Sequence, residues 1–131
     1  MSNRTYNIVT EDIVYTIEFY TTENGKTPIM DFIFTLSEKL QAKVLRDLDL
    51  LEVNGPTLKM PHSKHIRNGI YELRTKESSN ITRILYFFYV GRKIILTNGF
   101  VKKTQKTPKN EIDLAQKYKT DYERRHRNEQ I

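Results

Sequence analysis

The sequence predicts an α+β fold in which helices pack against a small antiparallel sheet. Apolar residues recur every three or four positions in one central segment and every second position in several others, and these periods are typical of helices and strands. Breaks such as Asn54-Gly55-Pro56 and Gly91-Arg92 separate the segments. The predicted order is β-α-α-β-β-β-α. We expect the helices to cover one face of the sheet and to leave the other face, or its edge, open for a ligand.

The first half of the chain is predicted to contain one strand and two helices. Residues 13–20 alternate as a strand does, and Thr27-Pro28 is typical of a helix start, which predicts a short helix over 29–36. A second helix is predicted by apolar residues at spacings of four, four and three: Leu40, Val44, Leu48 and Leu51.

The second half is predicted to be a meander of strands followed by a closing helix. Residues 56–68 are expected to form a basic loop. Three antiparallel strands then follow, over residues 70–76, 81–90 and 93–102. Thr107-Pro108 repeats the helix-start pattern and predicts a helix over 108–124.

Length and composition indicate one domain. The chain has 131 residues, which suffice for one core, and we expect a flexible leader over 1–12, a domain over 13–124 and a polar tail over 125–131. The sequence has no cysteine, which removes disulfides and thiolate sites from consideration. With no apolar run long enough to cross a bilayer, we expect a soluble cytoplasmic protein that makes no membrane contact.

Charge is concentrated in the second half of the chain. Residues 55–109 contain twelve Lys and Arg against two acids, a net charge of +10, whereas the remainder has ten bases against fourteen acids, a net charge of −4. A cationic block built on aromatic strands favours a polyanion, and RNA above all, as partner. The competing interpretation is a basic surface that serves solubility.

Three motifs in the basic block resemble a known family. They are G-I-Y-E-L-R at residues 69–74, R-I-L-Y-F-F at 83–88 and G-F-V-K-K-T-Q-K-T-P at 99–108. In this order and spacing they resemble the RelE/HigB superfamily of bacterial toxins, and most closely its phage-derived HigB-like branch. The resemblance implies a RelE-like fold and a type II toxin that cleaves mRNA on the ribosome, where it contacts 16S rRNA. It also implies a HigA-like antitoxin with a helix-turn-helix domain.

Arg74 and Arg83 are the leading candidates for binding the scissile phosphate. Cleavage of RNA without a metal requires deprotonation of a 2′-hydroxyl, stabilisation of the phosphorane and protonation of the 5′-oxygen. Guanidinium groups suit the second task because they bind two phosphate oxygens and remain charged. The competing interpretation is that each arginine forms a salt bridge at a strand end. We expect neither a metal nor a cofactor, because the basic block has no carboxylate cluster and its loop histidines have no carboxylate neighbour in sequence.

The groups that move the proton are left open by the sequence. Lys102 or Lys103 could act as the base if neighbouring cations lowered its pKa, and Tyr71, Tyr86 or His65 could donate a proton. Phe100 shares a strand face with Lys102, so base stacking competes there with core packing. The candidate RNA-binding residues are Lys64, His65, Arg67, Tyr71, Lys76, Phe100 and Lys106. A second functional class, a non-catalytic RNA-binding or phage-derived inhibitor module, would use the same cations.

Overall fold

The structure, a computed structural model, describes residues 14–102 and 106–130, so the predicted leader over 1–12 lies outside them. The helices are α1 (Pro28–Phe34), α2 (Glu38–Asn54) and α3 (Lys109–Arg125). The strands are β1 (Thr16–Phe19), β2 (Ser63–Arg67), β3 (Ile70–Glu77), β4 (Asn80–Tyr89) and β5 (Lys93–Lys102). Short 3-10 turns span Gly55–Thr57 and Arg127–Gln130. The α+β class predicted from the sequence is confirmed.

The five strands form one mixed sheet in the order β1-β5-β4-β3-β2. Strands β2 to β5 are antiparallel neighbours, but β1 pairs with β5 in parallel, from Thr16 opposite Lys93 to Phe19 opposite Leu96. The expectation of a purely antiparallel sheet was therefore wrong. Parallel neighbours need a long crossover connection, and the two helices and the meander between β1 and β5 supply it.

Strand β2 was missed in the sequence analysis, where residues 56–68 were expected to form a loop. The observed order is β-α-α-β-β-β-β-α. The strand lies at the sheet edge and its single strongly apolar residue is Ile66, so it lacks the alternation that marks half-buried strands. Asn68-Gly69 was the available signal, because both residues have positive φ, 52° and 77°, as a two-residue hairpin turn requires.

Helices α1 and α2 pack on one face of the sheet, called here the α1/α2 face. The four residues of the predicted stripe, Leu40, Val44, Leu48 and Leu51, are all buried. Val44, Leu48 and Leu51 belong to one core cluster with residues of α1 and of the sheet: Ile29, Ile33, Leu73, Ile84 and Leu96. Gly55 ends α2 with φ of 53°, as the Asn54-Gly55-Pro56 break predicted.

Helix α3 covers the opposite face, called here the α3 face. Its Ala115 packs with Ile70, Leu85 and Phe100, and its Tyr122 packs with Phe87 and Ile95. Helices therefore cover part of both faces, so the expectation of an open face was wrong, whereas the alternative of an open edge agrees with the cleft described below. The buried side of α3 was hard to detect because the six residues between Ala115 and Tyr122 are largely polar.

The two ends of α3 are attached to the sheet by polar contacts. At its first turn, Asn98 of β5 donates to the Glu111 carboxylate at 3.0 Å. Near its last turn, the Tyr20 hydroxyl donates to Asp121 at 2.6 Å, and Arg125 donates to the same carboxylate oxygen at 2.7 Å. These contacts fix α3 across the face that carries both candidate arginines. Among the described helices, none combines the length and apolarity that crossing a membrane would require.

Candidate functional site

Arg74 and Arg83 meet at a single buried carboxylate on the α3 face. Glu72 Oε2 lies 3.2 Å from Arg74 Nε, and Glu72 Oε1 lies 3.5 Å from Arg83 Nη1. The exposed fraction is 0% for Glu72 and Arg83 and 8% for Arg74. A charge taken out of water at this depth is tolerated because an opposite charge compensates it.

Strand register places the two arginines side by side. Arg74 of β3 is the direct partner of Arg83 of β4, and Phe100 of β5 is the partner of Arg83 on its other side. Like charges directly opposite each other destabilise a sheet. Glu72 lies two residues before Arg74 on the same face of β3, so its carboxylate offsets this repulsion.

Thr107 completes this cluster, called here the Glu72 group. The Thr107 hydroxyl donates to Glu72 Oε1. Thr107-Pro108 predicted a helix start at Pro108 with Thr107 as its cap, but α3 begins at Lys109 with Pro108 at the N-cap, and no side chain caps it. The importance of Glu72 and Thr107 was also missed. The signal for Glu72 was its i, i+2 spacing from Arg74, which places both side chains on one face of a strand.

Of the other two residues proposed for catalysis, Lys102 lies along the same strand face. Lys102 ends β5 opposite Ile81 and is exposed. It is two residues beyond Phe100, a rise of about 7 Å along the strand. Phe100 is 8% exposed and packs in the core with Ala115, so packing is the role that its environment supports. Lys103 lies outside the described residues.

A second group of candidate residues lies on the opposite side of the sheet. Tyr71 and Tyr86 project to the α1/α2 face, where their rings stack with centroids 5.5 Å apart. The His65 ring meets Tyr71 edge-on at 5.0 Å. Because neighbouring residues of a strand alternate between faces, β3 separates this aromatic group from the Glu72 group.

Tyr86 is a poor candidate for proton transfer. Burial is the main cause that raises the pKa of Tyr86 to about 12; the hydrogen bond with Ser63 acts to lower it, and the charge of Tyr71 acts to raise it. The phenol therefore stays protonated at neutral pH. Tyr86 is also 1% exposed, so its hydroxyl serves to hold Ser63 of β2 against the sheet.

An open cleft of about 330 Å³ lies beside this aromatic group, at the edge of the sheet. It is called here the edge cleft, and its lining residues are Pro56, Leu58, Lys59, Met60, Ser63, Lys64, His65 and Tyr71. Three of the predicted RNA-binding residues, Lys64, His65 and Tyr71, are thus brought together. Met60 connects the cleft to the Glu72 group, because Arg74 Nη1 lies 3.8 Å from its sulfur.

The remaining predicted RNA-binding residues are exposed and do not line the edge cleft. Arg67 forms an exposed ion pair with Asp113 of α3 at 2.9 Å. Lys76 and Lys106 are exposed, Lys76 near the end of β3 and Lys106 just before α3. These positions suit general attraction of a polyanion better than alignment of one phosphate.

Comparisons with known proteins identify the family. Residues 31–120 match the family described as "Phage derived protein Gp49-like (DUF891)". The chain is also 44% identical over 52 residues to the "Probable endoribonuclease HigB1" of Mycobacterium tuberculosis strain CDC 1551 / Oshkosh, and the same identity holds for strain H37Rv. That segment is 40% of this chain and 41% of the relative, so the chain spans about two fifths of the length of the curated relatives that it matches. These matches confirm the resemblance drawn from the three sequence motifs.

Proposed function

This chain belongs to the phage-derived Gp49-like family, and on that premise we propose that it is the toxin of a type II toxin-antitoxin pair. In this proposal it acts in the cytoplasm and cleaves messenger RNA on the ribosome. The name of the mycobacterial relatives, probable endoribonuclease, supports the reaction class. The net charge of +10 over residues 55–109 supports RNA as the substrate.

The single observation that carries the proposal is the Glu72 group. Two guanidinium groups are held by one carboxylate in a buried environment, on the strand face that Lys102 shares. Fixed charges in a site of low polarity stabilise a developing phosphorane more than the same charges do in water. We assign the phosphate contact to Arg74, which is 8% exposed, and a supporting electrostatic role to Arg83, which is fully buried.

Proton transfer is assigned to the α3 face. Lys102 is exposed on the same face as the arginines and serves as general base or phosphate ligand, with Lys103 as the alternative. The 2′-oxygen loses its proton to this base and attacks phosphorus, the bond to the 5′-oxygen breaks, and that oxygen takes up a proton from water. The products are a 2′,3′-cyclic phosphate and a 5′-hydroxyl. His65 and Tyr71 lie across the sheet and are assigned to RNA binding.

The partner proposed for this toxin is a HigA-like antitoxin with a helix-turn-helix domain. An acidic segment of such a protein would compete with RNA for the exposed cations of the basic block. Lys76, Lys106 and Arg67 are the positions that we assign to contacts with 16S rRNA or with the message backbone. Their contribution should be additive and sensitive to salt.

Arg74→Ala is the variant that tests the proposal. We expect it to slow message cleavage in a translating complex by about 10²-fold or more, since one electrostatic contact to a transition state is worth that much. Arg46→Ala is the matched control, because Arg46 is an exposed arginine on α2. Urea unfolding of both variants separates lost activity from lost fold. Full activity in folded Arg74→Ala would overturn the assignment.

Product ends give an independent readout of the mechanism. Ribosomes need magnesium themselves, so removing divalent ions is a poor test, whereas the ends of the cleaved message report the chemistry directly. We expect 2′,3′-cyclic phosphates and 5′-hydroxyls. Products with 3′-hydroxyl ends would show that water or hydroxide, and not the 2′-oxygen, attacks the phosphate.

One observation favours a second candidate function. Arg83 is fully buried, and an arginine in that position could be a structural ion-pair partner in a non-catalytic RNA-binding or phage-derived inhibitor module. Expression in a bacterial host without an antitoxin distinguishes the two functions. The nuclease arrests growth and leaves cut messages, whereas a binding module leaves messages intact.

A further inference from the structure

We propose that the edge cleft binds one single-stranded nucleotide of the RNA, with its base against His65 and Tyr71 and its phosphate near Lys59 and Lys64. This inference rests on the proposed function for its choice of RNA. It adds a second contact region, across the sheet from the residues assigned to cleavage.

The size of the cleft limits what it can hold. Its volume of about 330 Å³ is at the lower end of the range for small-molecule sites, about 300–1,000 Å³. One nucleotide fits such a space, whereas an extended strand or a helix does not. The site is also open at the sheet edge, so the RNA chain can continue on both sides of the bound nucleotide.

The floor of the cleft is rigid and aromatic. The ring of Tyr71 stacks on the ring of Tyr86. It also meets the ring of Phe88 edge-on, and the centroids of Tyr71 and Phe88 are 5.2 Å apart. His65 is exposed, so its ring can stack on a base that enters from solvent. Bases stack on aromatic side chains with little regard to sequence, because each base has a π-face. An ordered aromatic pair loses little entropy when the base arrives.

The rim of the cleft carries the charge that a phosphate requires. Lys59 and Lys64 are both exposed, and the described residues that line the cleft include no carboxylate. Met60, which is 57% exposed, supplies a flexible apolar wall between the lysines and Arg74. The Met60 contact with Arg74 places the cleft next to the Glu72 group around the sheet edge, so one RNA strand can reach both.

A short RNA whose 2′-positions are O-methylated tests the inference without cleavage. Methionine methyl groups labelled with ¹³C in the full chain report the location, because Met60 lines the cleft and Met30 lies on α1. We expect the Met60 methyl signal to shift saturably as a methylated tetranucleotide is added, and the Met30 signal to stay in place. An unmoved Met60 signal at saturating RNA would overturn the inference.

Two pairs of variants identify the contacts. His65→Ala should weaken binding of the tetranucleotide by about fivefold or more, as expected for the loss of one stacked base, whereas His62→Ala should not, because His62 does not line the cleft. Lys64→Ala should lower the salt dependence by about one unit of log K per log salt, and Lys39→Ala on α2 should leave it unchanged. If the His65→Ala variant and the wild-type protein bound the tetranucleotide with equal affinity, base stacking on His65 would be contradicted.

The proposal that RNA occupies the edge cleft and the proposal that the protein is a nuclease can be disproved independently. A polyglutamate peptide that shifts Met60 where the RNA does not would assign the cleft to an acidic protein segment and overturn the inference. If the RNA shifts Met60 but translating complexes are not cleaved, the proposed nuclease is wrong and the binding site stands. If translating complexes are cleaved but the Met60 signal does not shift, the proposed nuclease stands and the binding site in the edge cleft is wrong.

Discussion

The Glu72 carboxylate lies 3.2 Å from Arg74 Nε and reaches Arg83 with its other oxygen, so one buried acid holds both arginines of the candidate site. Removing it would leave two like charges opposite each other in the sheet. Breaking a buried ion pair by removing one partner commonly costs about 3–5 kcal/mol. This arrangement makes Glu72 the residue on which both the fold and the proposed chemistry depend.

Glu72→Gln should therefore destabilise the protein by about 3 kcal/mol or more, because it keeps the shape and removes the charge. The free energy of unfolding in urea measures the effect. Glu77→Gln is the control on the same strand, since Glu77 is partly exposed and lies 3.8 Å from its partner Lys43. Such a pair is worth about 0–1 kcal/mol. A Glu72→Gln variant as stable as Glu77→Gln would contradict the account.

Asp121 should make stability fall in acid. Hydrogen bonds from Arg125 and Tyr20 hold the pKa of Asp121 well below its usual range. A depressed folded pKa adds stability that is present above the unfolded pKa, about 4, and is lost as pH falls through the folded value. Asp121→Asn should flatten the stability profile below about pH 4, whereas Asp49→Asn, an exposed aspartate on α2, should leave it unchanged.

Two tyrosines should make stability fall in alkali. Burial, with a hydrogen bond to Asp121, raises the pKa of Tyr20 to about 12, and burial raises that of Tyr86 to about 12. A raised folded pKa adds stability that is present below the unfolded value of about 10 and is lost as pH rises through the folded value. Tyr20→Phe should flatten the profile between pH 10 and 12 in part, because Tyr86 and Tyr118, whose pKa values burial also raises, contribute as well. A profile unchanged by Tyr20→Phe would contradict this reading.

Gly55→Ala should destabilise the end of α2 more than Gly25→Ala destabilises its loop. Both glycines have positive φ, 53° and 84°, but a Cβ at Gly55 would lie 2.5 Å from Tyr15 Cε1, whereas one at Gly25 meets nothing within 4 Å. Gly25→Ala thus measures backbone strain alone, about 1 kcal/mol. Gly55→Ala adds a steric clash with Tyr15 to that strain. Thermal unfolding of the two variants should rank them in that order.

The sequence predicted helix α2 and strand β5 well because each has a strong periodic signal. The stripe from Leu40 to Leu51 is buried as expected, and the bounds of β5 match residues 93–102. Strand β2 is largely polar and lies at an edge, so its pairing with β3 comes from the Asn68-Gly69 turn and not from alternation. Hydrophobic periodicity does not predict a strand whose pairing with its neighbour depends on backbone hydrogen bonds alone.

The candidate site could be predicted in composition but not in arrangement. Arg74 and Arg83 were identified from motifs, yet their shared carboxylate depends on the register of β3 against β4, which no local pattern reveals. The separation of His65 and Tyr71 from the arginines follows from strand alternation once β2 is placed. The burial of Phe100 depends on α3, whose apolar side is too sparse to read from sequence.

Dependence of cleavage on the ribosome can be tested by comparing two rates. These are the rates at which the purified protein cuts one message in a translating complex and the same message free in solution. General attraction to a polyanion does not align a 2′-hydroxyl with its phosphate, so the ribosome must supply much of that geometry. We expect far faster cleavage on the ribosome, and we expect both rates to fall as the salt concentration rises. Equal rates on the two substrates would contradict ribosome dependence and identify a general ribonuclease.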